Sequence, residues 1–177
     1  MHNHGQMPMM RLSSFAPVAR PDALVLILGS MPGVASLAAR QYYAQPQNLF
    51  WKIIWQLYGI DRGAPYAERL EALMAHRVAL WDVLKSCQRP GSLDSNIQRS
   101  SALPNDFMRF FARHPQIGAV FFNGKAAAEL YRRLVLPTLA VRFPELRYVT
   151  LPSTSPANAA TTPAVKLAAW RVLAHSS

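Results

Sequence analysis

Leu24-Val25-Leu26-Ile27-Leu28-Gly29-Ser30-Met31-Pro32-Gly33 is an unbroken apolar run of strand length that stops at a Gly-x-x-Pro-Gly turn. Such a run, bounded by turn residues, reads as a strand over residues 23–28 that is buried on both faces, as in a parallel sheet. Three further segments repeat the pattern. Residues 78–81 are apolar and end at Asp82, residues 119–122 end at Asn123-Gly124-Lys125, and residues 147–151 end at Pro152-Ser153-Thr154-Ser155.

Helical periodicity separates these strands. Residues 48–58 carry Phe50, Trp51, Ile53, Ile54, Leu57 and Tyr58 on one face and stop at Gly59; residues 67–74, 106–113, an alanine-rich stretch to Leu134 and residues 163–173 also read as helices. Residues 85–103 read as one long polar loop turning at Pro90-Gly91-Ser92. Strands alternating with helices give an α/β fold: a three-layer sandwich with a central, mainly parallel, four-stranded sheet flanked by helices. In such a sheet the four strand ends share one edge, so Gly29, Asp82, Asn123 and Ser153 converge on a single cleft.

The 177 residues, 51% hydrophobic and 16% charged, suffice for one domain with a substantial core. Residues 21–177 are assigned to that domain and residues 1–20 to a flexible arm whose Met-His-Asn-His start offers adventitious metal ligands at most. Nineteen Lys and Arg against nine Asp and Glu leave a charge of +10, which attracts polyanions through phosphate contacts, so nucleic acid is the expected partner. The single cysteine, Cys87, excludes an internal disulfide framework and a cysteine-ligated metal centre and favours a reducing compartment, and a cytoplasmic, nucleoid-associated location is expected. No apolar run approaches the roughly 20 residues that span a bilayer, so no membrane partner is expected.

The chain has no phosphate-cradling P-loop, no Gly-x-Gly-x-x-Gly after the first strand, no His-Glu-x-x-His and no Gly-x-Ser-x-Gly. What the cleft does hold is amides, hydroxyls, one carboxylate and aromatic rings, a set suited to a planar, neutral, hydrogen-bonding ligand.

Three segments carry a resemblance. Gly29-Ser30-Met31-Pro32-Gly33, Tyr43-Ala44-x-Pro46-x-Asn48-x-Phe50-Trp51 and Leu151-Pro152-Ser153-Thr154-Ser155-Pro156-Ala157-Asn158 resemble the motifs of the uracil-DNA glycosylase superfamily, most closely its hypoxanthine-DNA glycosylase branch, and the resemblance runs from about Leu24 to Ala174. It implies a monofunctional DNA repair glycosylase that flips a deaminated base out of DNA and cleaves its N-glycosidic bond with water. No metal or redox cofactor and no obligate protein partner is implied, and a monomer suffices.

The same resemblance implies site residues. Relatives specific for mismatched uracil carry asparagine where this chain has Met31, whose thioether cannot orient water; in the hypoxanthine branch the catalytic role belongs to the asparagine of the Pro-x-Asn-x-Phe-Trp segment, so the resemblance implies Asn48 as the catalytic residue, while an Asn just before Leu49-Phe50-Trp51 also reads as a helix N-cap. Tyr43 takes the position of the ring that stacks on the extruded base, with a core tyrosine as the alternative. Asp82 takes the position that reads the base edge: a carboxylate accepts from N1–H of hypoxanthine, where adenine has only an acceptor, and the alternative is a cap or turn residue. Gly29, Ser30 and Met31 complete the expected base contacts. Phe50 and Trp51 read as core, and Asn123 as a turn residue.

Ser153, Thr154, Ser155, Asn158 and Lys125 are the expected phosphate contacts, through hydroxyls, amide and backbone N–H groups. Relatives carry a bulky wedge in the 152–158 loop, where this chain has only Ser155, Pro156, Ala157 and Asn158; Arg89 and Leu93 are the substitutes the sequence offers. Three other functions stay open at this stage: a uracil or mismatch glycosylase, a non-catalytic nucleic-acid-binding domain, and a nucleoside hydrolase, the last lacking its acidic metal cluster.

Overall fold

The computed structural model describes residues 9–177. The Met-His-Asn-His segment lies outside that range. Four parallel strands form the central sheet: β2 (Val25–Gly29), β3 (Val78–Asp82), β6 (Ala119–Asn123) and β7 (Arg147–Leu151), in the order β3-β2-β6-β7.

Each of the first three strands alternates between two cores. Val25 and Ile27, Val78 and Leu80, and Ala119 and Phe121 face one side, with α2 (Phe50–Tyr58), α3 (Tyr66–Ala75) and α7 (Pro163–Ala174) contributing Phe50, Ile54, Leu73 and Trp170. Leu26 and Leu28, Ala79 and Trp81, and Val120 and Phe122 face the other, against Phe107 and Phe111 of α4 (Phe107–Arg113), Tyr131 of α5 (Lys125–Leu134) and Leu139 of α6 (Leu136–Arg142). Each fully buried side chain of this size contributes about 1.5–3 kcal/mol, and burial on both faces is why the strands read as continuous apolar runs rather than alternating ones. The three layers are those expected from the sequence.

Register fixes where chemistry collects. Gly29 pairs with Asp82, Leu28 with Phe122, and Asn123 with Leu151, so the four strand ends finish nearly level. A short helix, α1 (Val34–Ala39), follows the first turn.

Two segments differ from the sequence reading. Residues 85–103 are not one loop: β4 (Leu84–Gln88) and β5 (Leu103–Pro104) form a second, antiparallel sheet with β1 (Arg11–Ser13) in the order β1-β4-β5, and short 3-10 turns lie between β4 and β5. Residues 11–18, assigned to an arm, instead stitch the molecule together. β1 pairs with β4, Val18 exchanges two 2.9 Å backbone bonds with Leu80, and the carbonyls of Phe15 and Ala16 accept from Trp81 Nε1 and the Tyr42 hydroxyl. The outer edge of β3 would otherwise expose unpaired backbone groups, and Val18 covers part of it. No helix of the described residues is long and apolar enough to cross a membrane.

Candidate active site

A cavity of about 310 Å³ opens at the carboxyl edge of the central sheet. Each strand end supplies part of its wall: residues 29–33 after β2, Asp82 at the end of β3, Asn123 at the end of β6 and residues 153–157 after β7. Tyr43 and Asn48 enter from the segment between α1 and α2, and Ser92, Leu93 and Asp94 from the segment after β4. An adjoining groove shares Leu93, Ser153 and Ser155 with the cavity and adds Lys125 and Asn158. All eleven residues expected from the sequence therefore line either the cavity or the groove.

Asp82 is 3% exposed, and its Oδ2 has no hydrogen-bond partner. It caps no helix; its backbone carbonyl accepts from Asn105 Nδ2 at 2.8 Å. Burial pushes its carboxyl up to about 7, the Asp94 carboxylate adds to the rise, and the Arg89 guanidinium opposes it. The Gly29 backbone makes room for it, because a Cβ there would lie 2.5 Å from Asp82 Oδ1 and 3.1 Å from the Tyr43 hydroxyl.

Tyr43 holds a left-handed backbone with φ of 57°, a conformation that an L side chain adopts at a cost of about 1 kcal/mol. Its ring stacks on Phe50 with centroids 4.1 Å apart and planes 23° apart. The buried hydroxyl has no partner. Burial, reinforced by the Asp82 charge, raises its pKa far above the ordinary tyrosine value, so it stays a proton donor. Two polar groups without partners thus face one cavity side by side, an acceptor and a donor.

Asn48 sits one residue before the Leu49 N-cap of α2, with its side chain turned to both the helix start and the cavity. Its Oδ1 accepts from the Phe50 N–H at 2.9 Å, satisfying a free donor at the start of α2, while the half-buried carboxamide also lines the cavity. That bond fixes the rotamer and leaves a second oxygen lone pair for a water. Met31 is buried within the core and contributes an apolar wall.

The 152–158 turn corrects one expectation. Thr154 is fully buried: its hydroxyl accepts from Asn123 Nδ2 at 2.9 Å, its N–H donates to Asn123 Oδ1 at 2.9 Å, and its carbonyl accepts from the Leu49 N–H at 3.0 Å. It is a strut between β6, the turn and the start of α2, and its complete burial keeps the hydroxyl from being presented to a phosphate. Asn123 is correspondingly a clamp, in line with its structural reading.

The flanking serines are placed differently. Ser153 Oγ accepts from the Ser155 N–H and Ser155 Oγ from the Ala157 N–H, at 3.1 and 3.2 Å, so both hydroxyl protons are free to donate outward. Asn158 Nδ2 donates to the Ser153 carbonyl at 3.2 Å and the buried Lys166 Nζ to that of Ser155 at 3.3 Å, bracing the turn. Gly124, with φ of 101°, lets β6 pass under this turn, where a Cβ would come within 3.0 Å of Ser153 Cβ.

Sequence reasoning missed Ser92 and Asp94. Ser92 Oγ accepts from the Val34 N–H at 2.9 Å, and Asp94 accepts from the Ser30 hydroxyl. Only the polar composition of the 85–103 segment hinted at them. Arg89, a wedge candidate on sequence, is buried, with Nη2 donating to the Pro32 carbonyl and Nε to the Gly91 carbonyl, each at 2.7 Å.

Residues 16–174 match the Uracil DNA glycosylase superfamily. The chain belongs to that superfamily. Two curated relatives, both described as hypoxanthine DNA glycosylases, come from Methanosarcina: the M. barkeri protein is 37% identical over 121 residues, 68% of this chain and 75% of its own length. The M. acetivorans protein is 35% identical over 116 residues, 65% of this chain and 72% of its own. A solution NMR structure of an M. acetivorans protein assigned to uracil DNA glycosylases superposes with a TM-score of 0.75 at 32% identity, covering 93% of this chain and 99% of the other. As a superfamily member, the protein has DNA as its substrate polymer.

Proposed function

We propose that this protein is a monofunctional DNA glycosylase that removes a deaminated base, with hypoxanthine as the favoured substrate. The observation that carries the reading is the unpartnered pair in the cavity, the Asp82 carboxyl beside the Tyr43 hydroxyl. Deamination of adenine replaces an amine with a keto oxygen and places a proton on N1. Asp82 accepts from N1–H and the Tyr43 O–H donates to the new oxygen. Adenine would set the N1 lone pair against the carboxylate, leaving both buried acceptors unpaired at about 1–3 kcal/mol each, and would reverse the bond at Tyr43, whose hydroxyl would have to accept from the 6-amine.

Cleavage then needs a cationic sugar, a placed water and a home for negative charge. As C1′–N9 lengthens, electrons flow into the purine, and the Tyr43 O–H stabilises the charge that collects on the keto oxygen. Asn48 orients the water that bonds to C1′, and the water's proton leaves with the base, giving an abasic site and free hypoxanthine. Ser153, Ser155 and Lys125 hold the flanking phosphates. The protein acts as a monomer, in the compartment that houses the chromosome.

Uracil presents N3–H beside O4 in the same order, so uracil excision is the second reading, favoured by the same residue pair. The identity of the curated relatives weighs toward the purine. An alkali-cleavage assay on labelled duplexes bearing hypoxanthine, uracil or neither decides between them. Strand scission at hypoxanthine, abolished in Asn48→Ala with DNA retention intact, is the expected result. Scission only at uracil moves the protein to the second reading, and retention without scission makes it a binder. Loss of retention and folding in Asn48→Ala would reduce Asn48 to a helix cap.

A further inference from the structure

A charge buried in a folded protein is ordinarily paired with its opposite. Asp82, Arg89 and Lys166 are the buried charged side chains among the described residues. Asp82 and Arg89 act on each other, whereas Lys166 forms no ion pair with any described residue. We propose that Lys166 is a positioning residue whose counter-ion is a phosphate of the bound DNA, held on the outer side of the 152–158 turn by the Ser153 and Ser155 hydroxyls. The inference rests on the phosphate-holding role given to that turn above.

The fold by itself gains little from this charge. Lys166 is the fourth residue of α7, at the helix end whose partial positive charge disfavours a cation. Its side chain is 2% exposed, and burial lowers its pKa with no charged neighbour to offset the shift. Nζ donates to the Ser155 carbonyl at 3.3 Å, yet that carbonyl already accepts from the Asn158 N–H at 3.0 Å. Neutral donors hold the other carbonyls of the turn: Trp170 Nε1 that of Pro152 at 2.9 Å, Asn158 Nδ2 that of Ser153 at 3.2 Å and the Leu49 N–H that of Thr154 at 3.0 Å. A brace at Ser155 therefore requires no charge. Lys52, Lys85 and Lys125 are exposed, so a buried ammonium is peculiar to this position.

What surrounds the lysine suits an anion. The carbonyls of residues 152–155 all accept from donors within the fold, which directs their negative ends away from an incoming phosphate. The Ser153 and Ser155 hydroxyl protons remain free to donate, and both serines line the cavity and the adjoining groove. An ammonium one carbonyl beneath them, shielded from water, acts on that phosphate through a lower dielectric than bulk water and is screened less by salt than the exposed Lys125. It pulls the DNA backbone onto the serine hydroxyls without touching it.

The test compares three variants of the full-length protein on a hypoxanthine-bearing duplex by anisotropy over a salt series. Lys166→Gln keeps a neutral donor for the Ser155 carbonyl, Lys166→Met removes the donor, and both remove the charge; Lys166→Arg keeps the charge. Gln and Met are expected to bind about tenfold more weakly at low salt and to reduce the slope of log Kd against log salt by about 0.9, while Arg keeps the wild-type slope. Gln should also raise Tm, because an unpaired buried charge is gone. If Met fails to fold, Gln against Arg decides. A wild-type slope in Lys166→Gln overturns the proposal and makes Lys166 a brace; a lower Tm in Lys166→Gln overturns it too, since the fold itself would then require the charge. Cleavage at hypoxanthine is scored on the same duplex. A slope that depends on the charge at residue 166, without cleavage, keeps the proposal and removes the glycosylase reading, and cleavage with a slope indifferent to that charge does the reverse.

Discussion

An aspartate at 3% exposure with an oxygen lacking a partner costs free energy in the free protein, and under the proposed function an N–H of the extruded base would supply the missing partner. Burial holds the Asp82 carboxyl at about 7, with Asp94 reinforcing and Arg89 opposing the shift. The folded state therefore keeps a proton that the unfolded chain has released, so Asp82 lowers stability progressively as pH rises from its ordinary range near 4 to about 7. Activity should run the opposite way, because the carboxylate accepts from N1–H more strongly than the protonated carboxyl, which keeps only a neutral acceptor: kcat/KM on hypoxanthine duplex should climb through about pH 7 and level off above it. Asp82→Asn separates the two effects. At pH 8 it should raise Tm, and at the same time lower kcat/KM at least tenfold, roughly the loss of one hydrogen bond to a charged group, and flatten the pH profile. A lower Tm at pH 8, read by thermal melts at pH 5 and 8, would contradict the unpaired-charge account.

The turn after β7 depends on β6, and that dependence was only half visible beforehand. Asn123-Gly124 reads as a turn in sequence, and Thr154 as one hydroxyl among several, yet the structure joins them by two 2.9 Å bonds. Partners 31 residues apart leave no periodic signal, and a threonine that meets phosphate looks the same in sequence as one that props a turn. Asn123→Ala would leave the Thr154 N–H and hydroxyl buried and unpaired, costing about 1–3 kcal/mol each. It should lower Tm, and raise KM for lesion DNA more than it lowers kcat, since Ser153 and Ser155 ride on this turn. Thr154→Val, which removes only the hydroxyl, should give a smaller loss of both. Equal effects on kcat and KM would mean that the clamp reaches the chemistry directly.

At the scale of the molecule, three strands of the central sheet were legible because each announces itself: an apolar run cut off by Gly29, Asp82 or Asn123 fixes both a buried strand and its chemical end, while β7, with Arg147 and Thr150 exposed, showed mainly through the Pro152-Ser153 turn that ends it. The β1-β4-β5 sheet was not. Its strands are short and partly polar, and Leu12 meets Cys87 75 residues away, so their pairing rests on long-range packing rather than on a pattern of their own. Residues near the cavity mouth share that illegibility, since Ser92 and Asp94 matter through bonds to the turn after β2. Charge lies between these cases. The surplus of +10 is plain in the composition, but its place is not: exposed Lys125 opens α5 in the groove beside the cavity, and Arg99, Arg132 and Arg133 line a second cavity that also includes Asp94. If Lys125 neutralises one phosphate of bound DNA, log Kd should rise linearly with log salt, and Lys125→Ala should reduce that slope by about 0.9. The weakening should be the same on lesion-bearing and undamaged duplex, because a phosphate contact carries no base information. Anisotropy titrations between 50 and 200 mM salt, about a thirtyfold or greater span in affinity for several contacts, resolve a change of that size. A Lys125→Ala slope equal to wild type would place the DNA backbone away from the start of α5 and leave the serine hydroxyls as its contacts on this side of the cavity.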